Sequence, residues 1–534
     1  MATVRVVGSS SPLAIGQELQ LTGLVTDAKG AAVSGRTISW TTSDATVATV
    51  SSSGLVRGMA AGVVTITASV DAHSGTFPVL VISPVAGSIV ISPLAGILGI
   101  GDQITLTATV LDSIGQAIPS PSVTWLSSNP IAASVTPQGV VTGLSRGTTV
   151  ISAISNGKEG RAPITVAPPS LATLGVGAVA ERYTAEVNVY GSYAYTSTWG
   201  RRGSVAGNAV KVWDIRGNQP MLVDSLIISG ATTTGDVQVI ADAKLLAVAT
   251  ERAGGSLVLY DLADPAHPAL ITRYSTPNTQ NGVHTAEVQR VNGTLYAFLS
   301  IDPAGTAAAR LTIVDLTTPA DPREVFSQVM GNPFVHDVFV RDGLLFTALW
   351  DDGMTIWDIG GGGRGGSPSS PVVVGNVRTV GGAVHNIWWF HDQLTGAKRY
   401  AFIGEEGPGA IGSSASGNIH VVDIADMSAP REVAFYHVEG AGTHNFSVDE
   451  RGAVLYAAYY NGGVRAIDVR GDLGSCASGA RSADGRCDLT AMGREMARWP
   501  GDGGPSVYVW GVQQVGGFVY ASDMLGGLWK LDAR

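Results

Sequence analysis

The sequence predicts an all-β protein with two small β-sandwiches followed by a seven-bladed β-propeller that an N-terminal outer strand closes. Three observations carry this prediction. The 534 residues include 69 glycines and 25 prolines, which favour turns over long helices. Two internal repeats are visible, one with an offset of 85 residues and one with seven copies. Aromatic residues are scarce before residue 168, where only Trp40, Phe77 and Trp125 occur. Together they predict domains at 1–84, 85–167 and 168–534.

Alignment of the two copies of the first repeat matches Trp40 with Trp125 and Gly54 with Gly139, each pair 85 residues apart in the sequence. Apolar and polar residues alternate in short runs such as ELQLTGLV at 18–25, which is the period of a half-buried strand. No cysteine pair joins the sheets, so we expect packing around the two tryptophans to do so. Each copy is therefore predicted to be a β-sandwich.

Within each copy, a strand ending at the tryptophan leads into a run such as TTSDATVATV, then GLVRG, then AGVVTITA. This order resembles the bacterial immunoglobulin-like group 2 domain, over nearly the full length of both copies. The resemblance implies extracellular spacer or adhesion modules, usually without catalytic residues. We therefore expect an extracellular or cell-surface protein whose export signal is not visible in this chain.

Residues 80–100 carry no charge and are numerous enough to cross a bilayer. Ser-Pro pairs and glycines interrupt this run, however, and the repeat places it at the last strand of one sandwich and the first of the next. We predict no membrane span here. A net charge of -10 further argues against nucleic acid or an anionic membrane as a partner, because both require a basic surface.

The second repeat is a short apolar strand that ends in aspartate. Its seven copies end at Asp214, Asp261, Asp315, Asp358, Asp423, Asp468 and Asp532. A spacing near 53 residues with several strands per unit is typical of propeller blades. These strands resemble the LVIVD-repeat family, which implies a β-propeller found mostly on exported or surface proteins. The seventh copy has no room for an outer strand, so we expect the segment from Pro169 to supply it.

Two local motifs receive structural interpretations. Cys476 and Cys487 are the only cysteines and lie in a loop rich in small residues within the sixth repeat, so a disulfide is predicted. The glycine-rich segment 360–366 contains a G-x-G-x-x-G match, but it precedes Ser-Pro rather than a helix. We interpret it as a blade loop and not as a nucleotide site.

Aligning the first strands of the blades gives a column that holds His336, His385 and His444 in three adjacent blades. Because the innermost strands line the central channel, these histidines should converge, with His284 near the same mouth. Imidazole nitrogens are good ligands for zinc, copper or iron, so the four are candidate metal ligands. An inert, hydrated channel is the alternative. The carboxylates that share the column are expected to accept hydrogen bonds from backbone N–H groups at the strand starts.

The second strand of each predicted blade is expected to end at the same mouth of the channel. The residues at these ends are the candidate ligand-binding residues Trp199, Arg202, Arg252, Asp351, Glu405, Glu406, Tyr459, Tyr460 and Asp523. Three functions remain open. The first is a secreted or surface binding protein for a glycan or protein, held out by the sandwiches. The second is an enzyme that depends on a divalent transition metal at the histidine cluster. The third is a polysaccharide lyase or hydrolase, with His385, His444, Tyr459 and Glu405 as catalytic candidates.

Overall fold

The computed structural model of the protein describes residues 3–113, 115–252, 254–331, 334–393, 395–501 and 503–533. The all-β prediction is confirmed, because one short 3-10 helix, Ser478–Ala480, is the only helix among these residues. The chain divides into two compact units, one comprising 1–98 and 103–166 and the other 99–102 and 167–534.

The first unit contains eighteen short strands within its described residues. They are β1 (Thr3–Val7), β2 (Leu13–Ala14), β3 (Glu18–Gln20), β4 (Thr22–Thr26), β5 (Ser39–Thr42), β6 (Ala48–Val50), β7 (Leu55–Gly58), β8 (Gly62–Val70), β9 (His73–Ile82), β10 (Ala86–Ser92), β11 (Gly96–Leu98), β12 (Gln103–Thr105), β13 (Thr107–Asp112), β14 (Thr124–Ser127), β15 (Ala133–Val135), β16 (Val140–Gly143), β17 (Gly147–Ser155) and β18 (Lys158–Val166).

The two halves of this unit repeat one topology. Strands β1–β9 form sheets of order β1-β4, β2-β9-β8-β5 and β3-β7-β6. Strands β10–β18 form β10-β13, β11-β18-β17-β14 and β12-β16-β15, the same pattern nine strands later. The uncharged run at 80–100 is divided among β9, β10 and β11. The duplication read from the sequence is therefore a duplication of strand order.

Alternation along β8 shows how these strands build a core. Val64, Ile66 and Ala68 are buried, while the residues between them are partly exposed, as the two-residue period of a strand requires. Trp40 on β5 is partly buried and packs against this cluster. A side chain at Gly54 would meet the Trp40 ring and the Leu21 carbonyl, so the glycine admits the tryptophan.

The second unit contains the remaining strands. They are β19 (Ala172–Ala178), β20 (Tyr183–Tyr190), β21 (Tyr193–Trp199), β22 (Arg201–Arg202), β23 (Val205–Ala206), β24 (Ala209–Asp214), β25 (Met221–Ile227), β26 (Asp236–Ile240), β27 (Leu245–Thr250), β28 (Ser256–Asp261), β29 (Ala269–Tyr274), β30 (Val283–Val291), β31 (Thr294–Ile301), β32 (Arg310–Asp315), β33 (Arg323–Val329), β34 (Asp337–Arg341), β35 (Leu344–Ala348), β36 (Met354–Asp358), β37 (Val372–Val377), β38 (Val384–Trp389), β39 (Tyr400–Glu405), β40 (Ile419–Asp423), β41 (Arg431–Tyr436), β42 (Phe446–Asp449), β43 (Val454–Ala458), β44 (Val464–Asp468), β45 (Cys487–Asp488), β46 (Glu495–Trp499), β47 (Val509–Val515), β48 (Phe518–Asp523) and β49 (Gly527–Asp532).

Apart from the small β22-β23 hairpin, these strands form seven sheets among the described residues, and all their pairs are antiparallel except that of β41 with β45. Their orders are β20-β21-β24-β25, β26-β27-β28-β29, β30-β31-β32-β33, β34-β35-β36-β37, β38-β39-β40-β41-β45, β42-β43-β44-β46 and β47-β48-β49-β19. The apolar strand that ends in aspartate is the third strand of every sheet. The first strands contact one another in order, from β20 through β26, β30, β34, β38 and β42 to β47, and β47 contacts β20.

The seventh sheet draws its outer strand from the other end of the unit. Strand β19 pairs antiparallel with β49, so that Ala172 lies opposite Asp532 and Ala178 opposite Gly527. The side chain of Trp499 in the sixth sheet also donates a hydrogen bond from Nε1 to Thr173 Oγ1, at 2.7 Å. The segment that the sequence assigns to the last repeat therefore forms the edge strand of that sheet.

The insertion that follows β44, the third strand of the sixth sheet, adds a strand to the fifth sheet. Cys476 and Cys487 form the predicted disulfide. Strand β45, which contains Cys487, pairs in parallel with β41 and so adds a fifth strand to the fifth sheet. The glycine-rich segment 360–366 is a loop after β36, as predicted, and its backbone N–H groups surround the Asp358 carboxylate.

Candidate functional site

The first strands of the seven sheets line a cavity of about 1040 Å³ in the second unit. Residues of the predicted column occur throughout its lining, including Glu186, Asp236, His336, His385 and His444. These side chains reach the cavity because alternate residues of a strand point to the same side. The column read from the sequence thus corresponds to one surface of one cavity.

Four histidines stand in a row at one end of this cavity. The ring centroids of His284 and His336 are 4.1 Å apart, those of His336 and His385 4.2 Å, and those of His385 and His444 4.0 Å. Nε2 of His284 lies 2.9 Å from Nε2 of His336. His444 is turned differently, with its Nδ1 2.7 Å from the Trp510 carbonyl oxygen. The row contains the four histidines singled out as candidate metal ligands.

Carboxylates accompany these imidazoles on both sides. Glu406 Oε2 lies 3.4 Å from Nε2 of His336 and 3.9 Å from Nε2 of His385. Tyr460 donates a hydrogen bond from its hydroxyl to Glu406 Oε1, at 2.6 Å. Asp302 Oδ1 lies 3.0 Å from Nδ1 of His284. The arrangement offers nitrogen and oxygen ligand atoms, with a second layer of polar groups that orient them.

Two groups of ligand-capable atoms are compact enough to hold a metal ion among the described residues. One consists of His336, His385 and Glu406, and the other of Glu251, His284 and Asp302. Within each group, one ligand atom from every residue lies within 4.8 Å of the others.

Burial and neighbouring charges separate the pKa values of these groups. Burial lowers the pKa of His336, His385 and His444 well below the usual value, so these rings are neutral at pH 7. Burial also disfavours the charged ring of His284, but Glu251 and Asp302 outweigh it and raise its pKa to about 9. The row therefore has one cationic end beside two carboxylates.

The carboxylates of the column, Glu186, Asp236, Glu287 and Asp337, line the same cavity. Burial raises the pKa of Glu186 to about 8 and that of Asp337 to about 7, with the Asp236 charge adding to both shifts. Asp236 accepts hydrogen bonds from the backbone N–H groups of Val237 and Ala286, at 2.8 and 2.9 Å. Glu287 instead accepts a side-chain hydrogen bond from Gln238, at 2.9 Å. The expected backbone role thus describes Asp236 well and Glu287 less well.

Aromatic side chains form a rim beside the histidines. The rings of Trp199 and Trp510 are partly exposed, with centroids 5.7 Å apart. The exposed Arg252 places its guanidinium carbon 6.0 Å from the Trp199 ring. Arg202 is less free, because its Nη1 donates to the Val179 and Arg182 carbonyls. We call Trp199, Trp510 and Arg252 the aromatic rim.

Several predicted residues lie away from the histidine row or have structural partners. Glu405 pairs with His420, 3.3 Å away, and accepts a hydrogen bond from the Asn418 backbone. The buried Tyr459 donates to the Gly417 carbonyl. Asp523 is fully buried and accepts hydrogen bonds from the backbone of Tyr508 and Leu525. Asp351 is exposed and is not part of either metal-capable group.

Trp350 is among the residues at the site that have no role in the sequence prediction. The Trp350 ring stacks on His336, with a centroid distance of 5.3 Å. Its position after β35 corresponds to that of Trp199 at the end of β21, which the prediction did include. Alignment of the ends of the second strands with one another would have identified Trp350.

Sequence comparisons agree with the division into two units. Residues 1–80 and 86–166 match the bacterial Ig-like domain (group 2), and residues 252–276 and 334–379 match the LVIVD repeat. The chain therefore contains two group 2 bacterial Ig-like domains in its first 166 residues and LVIVD repeats later. Both resemblances read from the sequence are confirmed.

One relative is Ice-binding protein 1 of Shewanella frigidimarina (strain NCIMB 400). It is 32% identical over 162 residues, which cover 30% of this chain and 18% of that protein. The chain thus matches less than a fifth of this relative's length. In the described part of the chain, every helix is too short to span a bilayer.

Proposed function

We propose that the protein is a secreted or cell-surface binding protein in which residues 168–534 form a seven-bladed propeller. Support comes from the seven sheets and from the cyclic contacts among their first strands. Pairing of β19 with β49 supports closure of the ring by an N-terminal outer strand, because it covers an edge that would otherwise be unpaired. The Ig-like domains at 1–84 and 85–167 then act as spacers.

The ligand proposed for the propeller is an extracellular glycan that binds at the aromatic rim. The single observation that carries this choice is the partly exposed Trp199–Trp510 pair beside polar side chains. A sugar ring presents an apolar C–H face surrounded by hydroxyl groups, and aromatic rings with adjacent polar groups complement both features. The relative is named for ice binding. We do not propose ice binding for this protein, because the match covers 18% of that relative.

The test measures binding of the full chain to a panel of polysaccharides. Trp199→Ala should weaken binding about tenfold or more, a loss of about 1.4 kcal/mol. Tyr193→Ala is the matched control, since Tyr193 is a partly exposed aromatic residue at the other end of β21. Equal loss in both variants would contradict a site at the rim. A folded chain that binds no glycan, but binds a surface protein through Trp199, would assign the ligand to proteins instead.

A further inference from the structure

The His336, His385 and Glu406 group has the spacing of a metal site. In a tetrahedral zinc site with bonds near 2.0–2.1 Å, neighbouring ligand atoms are about 3.4 Å apart. Glu406 Oε2 lies 3.4 and 3.9 Å from the two Nε2 atoms. Three protein atoms therefore already surround a point that an ion could occupy.

Two hydrogen-bonding partners strengthen this interpretation. Tyr460 holds Glu406 through Oε1, which leaves Oε2 directed toward the histidines. Asp302 lies against Nδ1 of His284, whose Nε2 is 2.9 Å from Nε2 of His336. Partners of this kind orient the groups around protein-bound metals. His284 is thus outside the ligand set. An ion bound at His336 Nε2 would replace its contact with His284, because that nitrogen has a single lone pair.

Carboxylates are concentrated around these histidines. Glu251, Asp302 and Glu406 bring three carboxylates to a region where most side chains are buried or nearly so. His336 and His385 are buried, and uncompensated carboxylates are costly in such surroundings. A bound divalent ion would offset the negative charge of those carboxylates that are ionised.

We propose that His336 and His385, through Nε2, and Glu406, through Oε2, bind one divalent transition-metal ion of the Zn²⁺ class. Imidazole nitrogens favour such ions over Mg²⁺ and Ca²⁺, which prefer oxygen ligands. Three protein ligands leave a further coordination position for water or for a donor atom of a bound molecule. His444 is outside the ligand set, because it is not in the compact group among the described residues.

The experiment uses the full chain, freed of metal with a chelator, dialysed and then offered Zn²⁺. We expect one Zn²⁺ per chain by elemental analysis, and a Co²⁺-loaded sample should show the visible absorption of a low-coordinate site. His385→Ala and Glu406→Gln should weaken binding by roughly a hundredfold or more, beyond the loss typical of an orienting residue. Tyr460→Phe should weaken it by roughly tenfold.

Matched controls separate this site from its neighbours. Glu405→Gln changes the adjacent carboxylate, which pairs with His420, and should leave Zn²⁺ affinity unchanged. His267→Ala removes an exposed histidine and should do the same. Circular dichroism and thermal melts of each variant identify any that fail to fold, and Tyr460→Phe provides the milder replacement.

Three outcomes would overturn the proposal. One is a folded wild-type chain that takes up no Zn²⁺, Co²⁺, Cu²⁺ or Fe²⁺. Another is a folded Glu406→Gln variant that binds as tightly as the wild type. The third is loss in Glu251→Gln with retention in Glu406→Gln, which would place the ion in the Glu251, His284 and Asp302 group. Metal content is measured without glycan, so this result is independent of the proposed ligand.

Discussion

Nδ1 of His420 lies 2.8 Å from Glu432 Oε1, and both side chains are almost completely buried. On the other side of the ring, Nε2 is 3.3 Å from Glu405 Oε2, while Arg486 contacts Glu432. Burial alone would lower the pKa of His420, but its contacts with the two carboxylates outweigh burial and raise it. The fifth sheet is therefore held by a buried imidazolium between carboxylates.

This arrangement predicts a pH-dependent contribution to stability. The folded-state pKa of His420 lies above the unfolded value of about 6.5. Its contribution is therefore complete below pH 6.5 and disappears as pH rises through the folded-state pKa. His420→Leu should cost roughly 3–5 kcal/mol at pH 6, because it removes the charged partner that Glu405 and Glu432 share in buried surroundings. Thermal melts at pH 6 and pH 9 should show a smaller cost at the higher pH, whereas exposed His267→Leu should cost little at either.

The Ig-like domains offer a test of how a glycine admits a core tryptophan. Gly54 and Gly30 both have a φ of 81°. A Cβ at Gly54 would lie 2.7 Å from the Leu21 carbonyl oxygen and 2.8 Å from the Trp40 ring, whereas at Gly30 nothing lies within 4 Å. Gly30→Ala should therefore cost only the backbone strain, about 1–2 kcal/mol. Gly54→Ala should cost a further 1–3 kcal/mol, measured by denaturant unfolding. Equal costs would show that the tryptophan moves freely.

The loop after β36 depends on one carboxylate. Asp358 accepts hydrogen bonds from the backbone N–H groups of five residues at 2.6–3.2 Å, namely Gly360, Gly361, Gly362, Arg364 and Gly366. Burial opposes ionisation, but these bonds outweigh it and hold the pKa well below its usual range. The contribution to stability is thus complete above pH 4 and is lost as pH falls through the folded-state pKa.

Asp358→Ala should destabilise the second unit by about 3 kcal/mol, since buried donors lose their acceptor. Thermal melts at pH 7 measure this cost. The control is Asp261→Ala at the same repeat position, where the carboxylate accepts a backbone hydrogen bond from Ala263 N. Similar costs in the two variants would mean that the glycine-rich loop does not require the carboxylate.

Pairing of β19 with β49 can be tested at Gly177. A Cβ at this residue would lie 2.4 Å from the Trp213 ring, which is almost fully buried on β24. Gly177→Val should therefore displace β19 and destabilise the unit by roughly 1–3 kcal/mol, with increased aggregation from the exposed edge. Ala178→Val, at an exposed position on the same strand, is the control. Light scattering and thermal melts that do not distinguish the two would argue against a role for this pairing in stability.

The sequence contains enough information for the strand order, because the apolar strands ending in aspartate repeat as local patterns. It also identifies three members of the histidine row, since His336, His385 and His444 share one position in the repeat, whereas His284 does not. The distinction between Glu405 and Glu406 is harder, because neighbouring residues point to opposite sides of a strand. Glu405 ends β39 and pairs with His420, while Glu406 reaches the histidines. Only the position of the strand end decides which carboxylate faces the histidine row.

The pairing of β45 also could not be predicted from the sequence. In the sequence, the insertion that contains the disulfide follows the third strand of the sixth sheet. In the structure, its strand β45 pairs with β41 of the fifth sheet. That contact joins segments about 50 residues apart and leaves no local periodicity to read. In addition, β45 has only two residues, which are too few to show the alternation of a strand.

Chain connectivity gives the β19–β49 pairing a mechanical consequence. The first 166 residues are joined to the second unit through the segment that becomes β19, whose first residue lies opposite Asp532. A pull directed along this strand would load its hydrogen bonds to β49 simultaneously, in shear, rather than opening them one after another. The seventh sheet would then bear the tension on a tethered molecule, so its edge strand would set the force that the second unit withstands.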